Sequence, residues 1–123
     1  MTDMAQDQRD FMYMGNQITA HRDDDQIHLY SSLIREEYQE LLAEYSHGGP
    51  TENQLKEAVD LLVVTLGFIQ SHGINPNDVW NLVHANNMAK VNETVIKDEN
   101  GKIMKSPESI ASLRYSALIS TVL

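Results

Sequence analysis

The sequence predicts an all-α fold: a bundle of about four to five helices with a small β-hairpin near the C-terminal end. Three observations carry this. Apolar residues recur at the helical period over residues 26–46. A second apolar run, residues 51–72, lies between His47-Gly48-Gly49-Pro50 and Gly73, which stop and restart helices. Asn100-Gly101, the preferred two-residue hairpin turn, separates two short apolar stretches.

Met4, Phe11, Met12 and Met14 give residues 4–14 a weakly amphipathic helical pattern. Residues 15–25 read as a loop, from Gly15-Asn16-Gln17 to Arg22-Asp23-Asp24-Asp25. The aspartate run is read as helix N-terminal caps rather than as a second cation site. Over residues 26–46, Ile27, Tyr30, Leu33, Ile34, Tyr38, Leu41, Leu42 and Tyr45 form the apolar stripe of a long helix. Thr51-Glu52-Asn53-Gln54 matches a capping box and opens a helix that runs to about His72. Leu55, Val59, Leu61, Leu62, Val63, Val64, Leu66, Phe68 and Ile69 make that helix apolar almost all round. This predicts burial on several sides and, in so short a chain, packing against a second subunit. Asn75 as cap and Pro76 in the first turn start a fourth helix, reaching about Val91. The hairpin spans about 94–105. Alone it would be marginal, so it is expected to pack on the helices or close over a ligand. Residues 108–123, apolar and serine-containing, are read as a helical C-terminal extension.

A chain of 123 residues is one domain with a modest core. It contains no apolar run of about 18 residues, so no membrane span is expected. Met1-Thr2-Asp3-Met4 lacks the features of a signal peptide. Cysteine is absent, which excludes disulfides and zinc–thiolate sites and fits a cytoplasmic chain. A net charge of −9 argues against duplex nucleic acid or an anionic membrane as partner. A nucleotide remains open, because bound metal ions reverse the local field.

The chemistry lies in two matched acidic pairs, Glu37 with Glu40 and Glu57 with Asp60, separated by sixteen residues. Residues three apart share a helical face. If the two helices fold back at Gly49, both pairs stand roughly 15 Å from the bend, at one height. Four facing carboxylates need a cation, and hard oxygen ligands suit Mg2+ or Mn2+. Glu36, Glu44 and Glu52 read as solvated surface. Glu36, four residues before Glu40, is also placed to serve as an extra ligand or supporting group. No HExxH spacing links His21, His28, His47, His72 and His84. His47 and His72 at helix C-termini read as structural. His84 shares a face with Asn87 and, more loosely, Lys90. Lys97, Lys102 and Lys105 surround the hairpin and read either as solvated or as a phosphate clamp. With no P-loop, GxSxG elbow or cysteine nucleophile, metal-assisted hydrolysis is the natural enzyme class, the metal neutralising phosphate charge and acidifying a water.

Glu36-Glu37-x-x-Glu40 followed by Glu57-x-x-Asp60-Leu61 resembles the all-α NTP pyrophosphohydrolase superfamily, which includes MazG, the dimeric dUTPases and phosphoribosyl-ATP pyrophosphohydrolase. Val64-Thr65-Leu66-Gly67, His72-Gly73-Ile74, Val83-His84-x-x-Asn87-Met88-x-Lys90 and Asp98-x-x-Gly101-Lys102-x-x-Lys105 are similar to the MazG-like members. So are Arg9-Asp10-Phe11-Met12 and Gly15-x-Gln17. The likeness covers roughly residues 8–107. Position 86 is Asn, where relatives often carry a small residue, and the segment after Pro107 matches no pattern of the family.

The resemblance implies one MazG-like domain, residues 1–123. It implies Mg2+-dependent cleavage of a nucleoside triphosphate between its α and β phosphates, giving a monophosphate and pyrophosphate. Glu37, Glu40, Glu57 and Asp60 would hold Mg2+, with Mn2+ a possible substitute, and Glu36 would orient or deprotonate the water. Asn87, Lys90 and His84 would contact the nucleotide, helped by Lys102 and Lys105. A homodimer or homotetramer would build the site. Phosphoribosyl-ATP hydrolysis in histidine synthesis is the enzymatic alternative, and a non-catalytic nucleotide-binding module is the alternative of another class.

Overall fold

The computed structural model describes residues 1–92, 95–104 and 120. Among them the elements follow the order α1 (Met4–Met14), α2 (Asp24–Ser46), α3 (Thr51–Gln70), α4 (Pro76–Asn92), β1 (Ile96–Lys97) and β2 (Ile103–Met104). The chain divides into two compact units, Met1–Pro76 and Asn77–Leu123. The all-α reading and the short C-terminal hairpin therefore both hold. The expected helix over 108–123 lies outside the described residues, apart from a helical Ser120.

The first unit is built on the α2–α3 hairpin, with α1 laid against α3. Its buried apolar centre is small: Met12 of α1, Tyr30 of α2 and Val64 of α3, surrounded by the half-buried Leu33, Ile34, Leu61 and Phe68. Gly67 faces Tyr30, and the aromatic ring takes the space a β-carbon would occupy. On the other side of α3, Val59, Leu62, Val63 and Leu66 join Met4, Asp7 and Gln8 of α1 around a pocket of about 230 Å³.

The helix starts follow side-chain chemistry. Asp3 accepts from the Gln6 N–H at 3.1 Å, and Asp23 from the Gln26 N–H at 2.8 Å. Each satisfies an amide left without a partner in the helical ladder. The aspartate run is thus a cap, and α2 begins at Asp24, two residues before the periodicity shows. The capping box expected at Thr51 does not form. Pro50 occupies the cap position, where it has no N–H to satisfy, and no side chain caps the helix. Gln54 instead reaches back to the Gly49 carbonyl at 2.7 Å. α3 ends at Gln70 rather than His72, and Gly73 (φ 76°) makes the turn beyond it.

One further expectation is corrected, and another is left to what lies outside this chain. In α1 the buried residues are Ala5, Gln8 and Met12, whereas Met4, Phe11 and Met14 are exposed. In α3 the apolar girdle is not enclosed by this chain: Leu55 is 62% and Val59 56% exposed.

Buried amides hold the loop between α1 and α2. Gln26 accepts from the Ile18 N–H at 2.9 Å and donates to the Ile18 carbonyl at 2.7 Å and to Ser71 Oγ at 2.9 Å. Gln70 donates to the Thr19 carbonyl at 2.9 Å. Arg22 and His72 form an antiparallel bridge. Loop 15–23 is thereby tied to the end of α3, which fixes α2 against α3 and with it the two acidic pairs. In the second unit, β1 and β2 pair antiparallel, Ile96 with Met104 and Lys97 with Ile103. Gly101 at φ 86° supplies the left-handed residue of the turn.

Candidate metal centre

Glu37 and Glu40 stand one turn apart on α2, and Glu57 stands on α3. One carboxylate oxygen from each falls within 4.8 Å of the others. The matched heights deduced from the spacing are therefore real for three of the four acids. Asp60, one turn beyond Glu57, is turned to Lys56, whose Nζ lies 2.8 Å from its Oδ2 and 3.4 Å from Glu57 Oε1.

Three carboxylates so close repel one another. Burial, then the Glu40 charge and a hydrogen bond shared with Glu40, then Asp60 and Glu57, hold the Glu37 carboxyl above its ordinary value of 4.5. Lys56 moves the same way for the opposite reason. Its hydrogen bond and charge contact with Asp60, and then Glu57, favour its ammonium form. Glu37 Oε2 and Glu57 Oε2 are buried without a hydrogen-bond partner among the described residues. An unpaired buried carboxylate oxygen is costly. Two of them on residues of one cluster of hard donors fit a divalent cation of the Mg2+, Mn2+ or Ca2+ kind. The donor set has neither the sulfur nor the nitrogen that zinc favours.

Glu36 is exposed on α2. His84 and Asn87 are exposed on α4, in the second unit, where the His84 ring stacks nearly parallel on Trp80 with centroids 6.2 Å apart. Lys90 belongs to α4, but its side chain lies outside the described atoms, as does all of Lys105. Lys102 is exposed in the hairpin, its backbone N–H bonded to Asp98 Oδ1 at 2.9 Å. His72 is structural as expected: Nδ1 donates to the Phe68 carbonyl at 2.8 Å, and its ring meets Phe68 edge-on.

Sequence reasoning missed two residues. Lys56 sits at the solvent edge of the acidic cluster, and its i, i+4 relation to Asp60 was the available signal. Asn86, noted only as unusual, is 2% exposed, and neither atom of its amide has a partner among the described residues.

The model of the phosphoribosyl-ATP pyrophosphohydrolase family matches residues 3–87, a span that contains the acidic centre and most of α4. No curated protein matches the chain in sequence.

Proposed function

The chain belongs to the phosphoribosyl-ATP pyrophosphohydrolase family, hydrolases of phosphoric anhydrides, and we propose that it cleaves a nucleoside triphosphate between the α and β phosphates. The products are a nucleoside monophosphate and pyrophosphate. The observation that carries this reading is the convergence of Glu37, Glu40 and Glu57 oxygens within 4.8 Å, in a chain of that family.

Glu37, Glu40, Glu57 and Asp60 would hold Mg2+, or Mn2+ in its place. When bound, the cation supplies charge neutralisation at the phosphates and a more acidic water. The protein's own groups do the rest. Glu36, exposed beside Glu37, orients the water that attacks the α-phosphorus and accepts its proton. Asn87 and His84 contact the nucleotide, and Lys90, Lys102 and Lys105 stabilise the departing pyrophosphate. Residues 1–123 act as one functional domain, in the cytoplasm.

A homo-oligomer, dimer or tetramer, completes the reading. Leu55, Val59, Leu62 and Leu66 follow one another at steps of four, three and four along α3, the spacing of a seam between packed helices. Leu55, Val59 and Leu62 are exposed in the single chain, and a second copy would cover them.

The family's description favours a second substrate, phosphoribosyl-ATP, whose ATP half carries the same anhydride. A panel of nucleoside triphosphates and phosphoribosyl-ATP, with Mg2+, Mn2+ or EDTA, tests both. The expected result is metal-dependent pyrophosphate release. Release of orthophosphate instead, or nucleotide-dependent thermal stabilisation without any release, would sink the proposal. A strong preference for phosphoribosyl-ATP would select the second substrate.

A further inference from the structure

Lys56 is a cation placed where the proposed function needs a metal. Its ammonium reaches Asp60 at 2.8 Å and Glu57 at 3.4 Å, both on its own helix. The pair has no obvious role in helix stability. Exposed i, i+4 ion pairs contribute little, and lysine preceding the acid is the weaker orientation. The burial gradient runs the other way from a structural lock as well. The Glu57 and Asp60 side chains are 14% and 33% exposed, whereas Lys56 is 66% exposed. The ammonium lies over the carboxylates from the solvent side, on a flexible four-carbon stem. Asp60 is also the one acid of the four whose oxygen does not join the 4.8 Å group.

We propose that Lys56 is the resident counter-ion of the acidic cluster, and that an entering divalent cation displaces it from Asp60. Asp60 then turns toward Glu37, Glu40 and Glu57, and the freed ammonium faces the solvent side, from which a phosphate would approach. Lys56 is thus a positioning residue. It sets the cation concentration at which the four-acid centre assembles, because metal binding must break its contact with Asp60. This rests on the metal reading of the four acids.

The test uses the full chain and Mn2+ alone, with free Mn2+ followed by electron paramagnetic resonance. The variants are Lys56→Met, Asp60→Asn and the double variant. Replacing the competing ammonium by a neutral side chain of similar length is expected to tighten Mn2+ binding about two- to fivefold. The gain is expected to shrink at high salt and to shrink further when Asp60 is already Asn, leaving only the part owed to Glu57. In EDTA, Lys56→Met is expected to melt close to the wild type, because an exposed i, i+4 pair contributes little to stability. Unchanged or weaker Mn2+ binding by Lys56→Met would overturn the proposal. So would an equal gain in the Asp60→Asn background, which would mark a general charge effect. If the wild type itself binds no Mn2+, the metal reading falls and this proposal with it; if only the variant result fails, the metal reading stands.

Discussion

The ring of Tyr30 fills the space that a β-carbon at Gly67 would occupy, so that α2 and α3 approach more closely there than a larger residue would allow. A β-carbon at Gly67 would overlap Tyr30 Cε1, Cδ1 and Cζ. The Tyr30 hydroxyl then donates to Gln17 Oε1 at 2.5 Å. One side chain thereby joins the helix pair to the loop that leads into it. Gly67→Ala is expected to lower stability by about 1–3 kcal/mol, the usual cost of overpacking, although alanine is the better helix former. Urea unfolding followed by circular dichroism measures it. A variant as stable as the wild type would show that the two helices separate at little cost.

Gln26 makes a second tie. Its amide meets both backbone groups of Ile18 and the hydroxyl of Ser71. Gln26→Leu keeps the bulk and leaves those groups unpaired, at an expected cost of about 1–3 kcal/mol. Faster amide exchange at Ile18 in the variant would locate the damage in loop 15–23.

In the acidic centre, Glu57→Gln removes a ligand charge while keeping the shape. Pyrophosphate release is expected to fall below detection with the fold intact, as judged by circular dichroism. Near-normal metal-dependent turnover in this variant would refute the assignment of Glu57.

The Glu37 carboxyl gives a pH signature. Its folded value lies above the ordinary 4.5, so the folded state holds this proton more tightly than the unfolded chain. The associated stability is fully present below about 4.5 and is lost as pH rises through the raised folded value. Glu37→Gln has no such loss. In EDTA the variant is therefore expected to melt above the wild type at neutral pH, with the gap closing as pH falls through the raised folded value and gone below about 4.5. Saturating Mn2+ is expected to stabilise the wild type more than the variant at neutral pH. Melting curves against pH read both effects. A gap that widened on acidification would contradict the raised value.

Asn86 carries a buried amide whose two polar atoms have no partner among the described residues. Asn86→Ala removes that burden and is expected to raise the melting point of the free protein. A loss of stability instead would show that the amide is bonded, through water or a partner chain.

What was legible in the sequence divides along physical lines. Helix existence and the hairpin turn came from periodicity and from glycine and asparagine chemistry, which are local. The acidic centre was legible because i, i+3 spacing and a short bend fix geometry without knowledge of packing. The cap of α3 was misread, though not its start at Thr51, because a capping box and a proline cap look alike until Pro50 is seen to hold the cap position with no side-chain hydrogen bond. The contact between Lys56 and Asp60 is local, at i, i+4 on one helix, but a lysine at that spacing is ordinary on a solvated helix face and does not by itself single out a site. The roles of Leu55 and Val59 depend on what lies outside one chain, which no periodicity reveals.

The connection between α2 and α3 is only four residues long, 47–50. Nearly all of the acidic centre is therefore assembled by a hairpin of low contact order, the kind of element that closes early in folding. Four like charges would then already be gathered in the transition state rather than after it. A divalent cation should consequently act on the folding rate and not merely hold the finished structure: the folding arm of the chevron would rise with Mn2+ while the unfolding arm moved little.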